Sequence, residues 1–256
     1  MWGIVLEGGG AKGAYQMGIW KAVRELGIAY DAVVGTSVGA LNAAMMVQGD
    51  FEIAMDLWRS ITPEKIYLDP DGIVEKLMNY EFQAQHYGDL HDEMVNNLHT
   101  DGLDPSPFVD LIQKHVDEDR IRKTFVDFGL VAIDMDKEQG LELFKKDIPK
   151  GQLANLLLAS CYLPVFKDRT IGGKCYMDGG FYNNLPVNML VEAGWKNIIV
   201  VKLRQPPDDL EVPKDVQVIQ LVPSEDLGRT LDFDNQRILD NIRLGYLDGM
   251  KALAVL

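Results

Sequence analysis

The sequence predicts an α/β fold with a mostly parallel central sheet, and three observations carry that expectation. The first 49 residues run strand, helix, strand, helix, an order that calls for parallel strands joined by a crossover helix. The strand candidates are short, continuously apolar runs such as Ala32-Val33-Val34, the pattern of strands buried in a core. A chain of 256 residues at 47% hydrophobic is also large enough to bury a core without disulfides or metal.

Taken in order, residues 3–6 form a buried strand that Gly8-Gly9-Gly10 breaks. Residues 11–26 carry helical spacing through Ala14, Met17, Ile19-Trp20, Val23 and Leu26, and Gly27 stands in the stop position. Residues 32–34 form the second strand, and 38–48 a compact helix of small and apolar residues closed by Gly49. Residues 51–60 read as helix, and the polar stretch around 63–106 as a cap-like helical excursion. Pro105 and Pro107 open a helix over 108–116. Strands follow at 128–133 and 141–144 about a turn at Glu138-Gln139-Gly140, then a helix at 152–160. Gly172-Gly173 turns a hairpin, residues 197–203 and 216–222 are further strands, and 231–253 reads as a long amphipathic helix. With no internal repeat, low-complexity tract or linker, the expectation is one domain over 1–256.

Composition narrows the partners. Twenty-five Lys+Arg against 39 Asp+Glu leave a net charge of −14, which argues against broad nucleic-acid binding and against adhesion to anionic membranes by charge alone. At most peripheral membrane contact is expected. The two cysteines, Cys161 and Cys175, read as free thiols of a cytosolic protein. The opening Met1-Trp2-Gly3-Ile4-Val5-Leu6-Glu7 has no positive leader, and no apolar run approaches the ~18 residues of a spanning helix. A soluble cytoplasmic location is the expectation.

Two motifs carry chemistry. The loop Gly8-Gly9-Gly10-Ala11-Lys12-Gly13 between strand and helix spells G-x-G-x-x-G, but the second strand ends in Gly35-Thr36-Ser37 without the acid that would hold a ribose. Walker A fails as well, because Ala14 follows Gly13. What remains is a set of backbone N–H groups that favour a negative oxygen. The second motif is Gly35-Thr36-Ser37-Val38-Gly39, a G-x-S-x-G at a strand-to-helix turn. With five serines and 24 glycines in the chain, chance yields such a match only about 4% of the time, before the strand–helix context is required. Ser37 is the candidate nucleophile, and the Val38 N–H with the glycine loop is the candidate oxyanion hole.

A serine needs a base. All four histidines fall between His86 and His115, and none follows, so the Ser, acid, His order of α/β-hydrolases is absent. The other candidate is Asp178 in Tyr176-Met177-Asp178-Gly179-Gly180, at the end of an apolar strand. Asp-Gly alone carries little weight, since it also occurs at Asp71, Asp101 and Asp248. An unperturbed aspartate is a weak base for a hydroxyl, so a Ser–Asp pair leans on its oxyanion hole.

The glycine loop, the Gly35-Thr36-Ser37-Val38-Gly39 elbow followed by Ala40-Leu41-Asn42, and the D-G-G-x-x-x-N-x-P run from Asp178 stand in one order that resembles the patatin-like phospholipases. The likeness covers nearly the whole length, including Ala159-Ser160-Cys161-Tyr162-Leu163-Pro164-Val165-Phe166. It implies a three-layer α/β/α sandwich and a Ser–Asp dyad without histidine. It assigns Ser37 as nucleophile and Asp178 as base, with oxyanion donors from the Gly8–Gly13 loop and Val38. Gly35, Gly39, Gly179, Gly180 and Asn184 fall on structural motif positions, and Lys12 on a basic position that orders the loop or meets a phosphate.

The expected activity is therefore a serine lipid acyl hydrolase of phospholipase A, lysophospholipase or carboxylesterase type, with no metal or cofactor. The alternatives are an acyltransferase or thioesterase using the same dyad, and a non-catalytic lipid-binding module. Phe181 and Tyr182 stand beside the acid and are candidates to line an acyl groove.

Overall fold

The computed structural model describes residues 1–70, 72–78, 102–167 and 170–256. The first part of the chain forms β1 (Trp2–Leu6), a 3-10 turn (Gly10–Gly13), α1 (Ala14–Glu25), β2 (Tyr30–Thr36), α2 (Val38–Gln48), α3 (Phe51–Arg59) and α4 (Ile73–Met78). Next come α5 (Ser106–His115), α6 (Glu118–Lys123), β3 (Asp127–Asp134), β4 (Gln139–Phe144) and α7 (Leu153–Ser160). The rest contains β5 (Thr170–Ile171), β6 (Lys174–Asp178), α8 (Gly180–Asn183), α9 (Val187–Glu192), β7 (Asn197–Val201), β8 (Gln217–Leu221) and α10 (Asn235–Leu253). Most of the excursion expected around 63–106 lies outside the described residues. Its two ends meet in a bridge between Leu68 and Asp104.

Strands β8, β7, β1, β2 and β3 lie side by side and run parallel. Their side chains alternate between two cores, which is why the runs are apolar throughout. Ile4, Leu6, Val33, Leu130 and Ile199 join the larger core with α1, α2 and α10. Val5, Ala32, Val34, Val131 and Val200 face a smaller one closed by α9. Helices thus cover both faces, and the architecture is the α/β/α sandwich that the motifs imply.

The far edge of β3 decides where the site forms. Ala132 pairs with both Leu141 of β4 and Asp178 of β6, while Val131 pairs with Glu142 of β4 and Thr36 of β2. A strand has only two edges, so β4 occupies one, and β2 and β6 share the other in succession. Strand β2 ends where antiparallel β6 ends, at adjacent residues of β3. Two segments far apart in sequence therefore meet end to end.

Boundaries depart from the periodicity where local bonding overrides it. The helix expected over 11–26 starts as a 3-10 turn, because the Ala11 N–H is held by the Thr230 carbonyl at 2.8 Å. The terminal helix starts at Asn235, where the Asp234 carboxylate caps the Arg237 N–H at 2.9 Å. Helix α6, not anticipated, is capped the same way by Asp117 on the Arg120 N–H. Both cysteines are free, Cys161 buried and Cys175 half-buried.

Candidate active site

The chain leaves β2 and enters α2 through Ser37, which holds φ 55° and ψ −127°. A positive φ on a non-glycine residue costs about 1–3 kcal/mol and persists only where the surroundings enforce it. The enforcement comes from close packing on each side. A Cβ on Gly35 would stand 2.4 Å from the Gly39 carbonyl carbon, and one on Gly39 would stand 2.3 Å from the Leu6 carbonyl oxygen. Helix α2 therefore lies directly on β1 and β2, and the turn between them is sharp. Ser160, at the end of α7, receives the Ser37 N–H on its Oγ at 2.9 Å.

Asp178 arrives at the end of β6. The Ser37 hydroxyl donates to its Oδ2 at 2.6 Å, and the Gly180 N–H donates to its Oδ1 at 2.7 Å. Its own N–H bonds the Tyr162 carbonyl, and the Gly179 N–H bonds the Ser160 carbonyl, so the turn after α7 holds the strand end in place. Gly179 presses on the Val131 carbonyl where β2 and β6 meet. Ser37 is 9% exposed and Asp178 2%. Burial pushes the Asp178 carboxyl up from near 3.8 to about 6, against the opposing pull of the Ser37 and Gly180 hydrogen bonds. Cys161 lies beside the same pair, and burial first, then the Asp178 charge, drive its thiol well up.

The glycine loop sits over the end of β1, with Gly10 at φ 57° against the Thr230 carbonyl. Its N–H groups divide into two sets. Those of Gly8, Ala11 and Lys12 bond the carbonyls of Asn184, Thr230 and Gly9. Those of Gly9, Gly10 and Val38 have no acceptor among the described residues, which leaves them free for a ligand oxygen. Gly13 passes into α1, and its carbonyl accepts from the Asn42 amide at 3.0 Å.

Glu7, Asn42 and Ser160 have organising roles that the sequence reading did not assign, whereas Asn184 was expected at a structural position. Glu7 is fully buried under the glycine loop, where its carboxylate accepts from the Leu203 N–H at 2.6 Å and the Arg204 guanidinium at 2.9 Å. Burial raises its pKa, while the Leu203 N–H and Arg204 pull the other way. Asn184 joins the two halves of the site. Its side-chain amide donates to the Gly8 carbonyl at 3.2 Å and reaches the Glu7 carboxylate at 3.4 Å. Asn42 ties α2 to the loop at Gly13 and to α1 at Gln16, and it receives the Trp58 indole N–H. An acid at the end of a buried strand and polar side chains inside small-residue helices were the available signs of Glu7, Asn42 and Ser160.

A cleft of about 940 Å³, its open mouth included, leads from Gly10, Ser37 and Val38. Its walls are almost wholly apolar, with Leu41, Met45, Trp58, Phe108, Ile112 and Phe233 among them. Phe181 and Tyr182 do not line it, a correction to their expected role. Tyr182 is 57% exposed and lies against Gly140 on the β3–β4 turn. Among the described residues the one histidine, His115, lines this cleft. His86, His91 and His99 fall outside the described residues.

The sequence model of the family described as Patatin-like phospholipase matches residues 4–191, a span that includes the glycine loop, the elbow and Asp178. The chain belongs to the patatin-like phospholipase family. Among its relatives, a patatin-like phospholipase domain-containing protein of Caenorhabditis elegans is 24% identical over 209 residues, covering 77% of this chain and 13% of that protein. An uncharacterized NTE family protein of Mycobacterium tuberculosis is 24% identical over 207 residues, covering 79% of this chain and 30% of its own length. The chain thus spans less than a third of these curated relatives. The crystal structure of VipD from Legionella pneumophila superposes with a TM-score of 0.61 over 99% of this chain and 67% of VipD, at 14% identity. That likeness is one of fold, and it makes the sheet and its covering helices a patatin fold. No described helix is long and apolar enough to cross a membrane.

Proposed function

We propose that this patatin-like chain is a serine lipid acyl hydrolase working through a Ser37–Asp178 dyad. The observation that carries the reading is the 2.6 Å hydrogen bond from the Ser37 hydroxyl, on its strained elbow, to a buried Asp178. Ser37 Oγ attacks the ester carbonyl carbon as Asp178 takes its proton. The carbonyl oxygen becomes an oxyanion, received by the unpartnered N–H groups of Val38, Gly9 and Gly10. Collapse expels the alcohol, which takes the proton from Asp178 and leaves an acyl-Ser37 ester. Water then attacks that ester with Asp178 again as base, and the carboxylic acid departs as Ser37 Oγ takes the proton back from Asp178.

The site supports each role physically. A carboxyl near 6 is a far better base for a hydroxyl than one near 3.8, so burial supplies what an ordinary aspartate lacks. Each oxyanion donor contributes typically ~3 kcal/mol to the transition state. An apolar cleft opening at the nucleophile suits the acyl part of a lipid. The bonding also narrows the loop's roles: Gly9 and Gly10 donate, while Gly8, Ala11, Lys12 and Gly13 shape the loop.

The test is labelling of the purified protein with a fluorophosphonate probe, together with hydrolysis of p-nitrophenyl esters and phospholipids. Ser37→Ala should abolish labelling and drop turnover to the uncatalysed background. Retention of both at wild-type levels in that variant overturns the proposal.

A further inference from the structure

Two helices line the cleft over similar lengths. Along α2 it is lined by Val38, Leu41, Asn42 and Met45, positions that recur on one helical face. Val38 adjoins Ser37, and Met45 lies seven residues further on, which is ~10 Å at 1.5 Å per residue. The opposite wall on α5 uses Phe108, Leu111, Ile112 and His115, a stretch of equal length.

Just beyond Met45 the walls are bolted together by polar groups. The Gln48 side chain is 6% exposed, donates to the His115 carbonyl at 2.7 Å and accepts the Asp117 N–H at 3.0 Å. It also donates to Asp50 Oδ2 at 2.7 Å. Arg120 completes the bolt, bonding Asp50 Oδ2 at 2.8 Å and the Gln48 carbonyl at 2.6 Å. An alkyl chain that reached this point would have to break satisfied, part-buried hydrogen bonds and could replace none of them.

We infer that the cleft measures its acyl chain, with Met45 as the floor and Gln48 as the stop behind it, and that it selects medium-chain acyl groups. The inference rests on the hydrolase reading for its orientation, carbonyl at Ser37 and alkyl tail toward Met45. An extended alkyl chain advances roughly 1.3 Å per carbon, given C–C bonds of ~1.5 Å, so the floor is reached after roughly eight to ten carbons. Each methylene up to that length gains a dry apolar wall, and each one past it gains none.

Two measurements separate this inference from the reading beneath it. Neutral 2-alkanones of increasing length, titrated calorimetrically into Ser37→Ala, probe the cleft without turnover. Affinity should rise roughly three- to fourfold per methylene and level off at the predicted length. Met45→Ala should move that break outward by roughly two to three carbons, and Met45→Phe should move it inward, so either variant that folds suffices. In parallel, kcat/KM for p-nitrophenyl esters should peak at the same chain length. An unbroken rise to tetradecyl chains, a break that neither Met45 variant moves, or absence of alkanone binding overturns the inference. Ester turnover without a break removes the ruler and keeps the hydrolase. A break without turnover of any ester removes the hydrolase and keeps the ruler.

Discussion

At the scale of single residues, the burial of Asp178 acts in two opposed ways. It raises the carboxyl to about 6, which would suit the base of the proposed dyad and destabilises the ionised form in the fold. The activity should follow ionisation: kcat/KM for a short ester rises with pH, is half-maximal near 6 and flattens above, falling about tenfold per unit on the acid side. Stability should run the other way. The folded pKa lies above the unfolded value near 3.8, so the folded state prefers the protonated acid. The cost of holding the ionised form is complete above about 6 and vanishes as pH falls below the unfolded value. Raising the carboxyl from near 3.8 to about 6 corresponds to about 3 kcal/mol. Asp178→Asn should accordingly be inactive yet gain up to that amount in urea unfolding at pH 8, with no gain at about pH 3. A loss of stability at pH 8 would mean that the hydrogen bonds of the carboxylate outweigh its desolvation.

At the scale of elements, the elbow works because α2 lies on β1 without side chains between them. Gly39→Ala would place a methyl carbon 2.3 Å from the Leu6 carbonyl oxygen, and β1 carries the glycine loop at its end. The expected result is a loss of about 1–3 kcal/mol together with most of the esterase activity, because the Val38 and Gly9–Gly10 N–H groups move apart. Gly27→Ala is the contrasting control. Unlike Gly39, Gly27 has a positive φ, of 68°, and nothing stands within 4 Å of the added carbon. It should cost about 1–2 kcal/mol in backbone strain and leave kcat unchanged. Equal activity in the two variants would show that close contact at the elbow does not position the donors.

Much at this scale was legible in the chain. The periodicity of Ala14 to Leu26 marks α1, the run Ala32-Val33-Val34 marks β2, and both motif glycine pairs fall where contact demands them. The starts of α1 and α10 were not legible. Thr230 and Asp234 set them through hydrogen bonds whose partners no local pattern identifies.

At the scale of the whole molecule, charge governs the approach to a lipid surface. A net charge of −14 repels anionic headgroups, and salt screens that repulsion. Flotation with phosphatidylglycerol vesicles should recover less protein than with phosphatidylcholine vesicles, and the gap should narrow as salt rises. Stronger binding to the anionic vesicles, weakened by salt, would reveal a basic docking patch that the net charge conceals.

The sequence by itself determined the α/β order and the serine at a strand-to-helix bend, because each is written in neighbouring residues and in the steric needs of glycine. The motif resemblance named Asp178, but only the tertiary structure decided how that carboxylate reaches the serine, which loop N–H groups stay free and which walls bound the cleft. Ser37 and Asp178 are 141 residues apart and meet because β2 and β6 end on consecutive residues of β3. The cleft is assembled from α2, α3, α5 and the stretch before α10 rather than from the aromatics beside Asp178. Strand pairing and helix packing are non-local, and the register that joins such distant segments is set by the shape and bonding of the complete core.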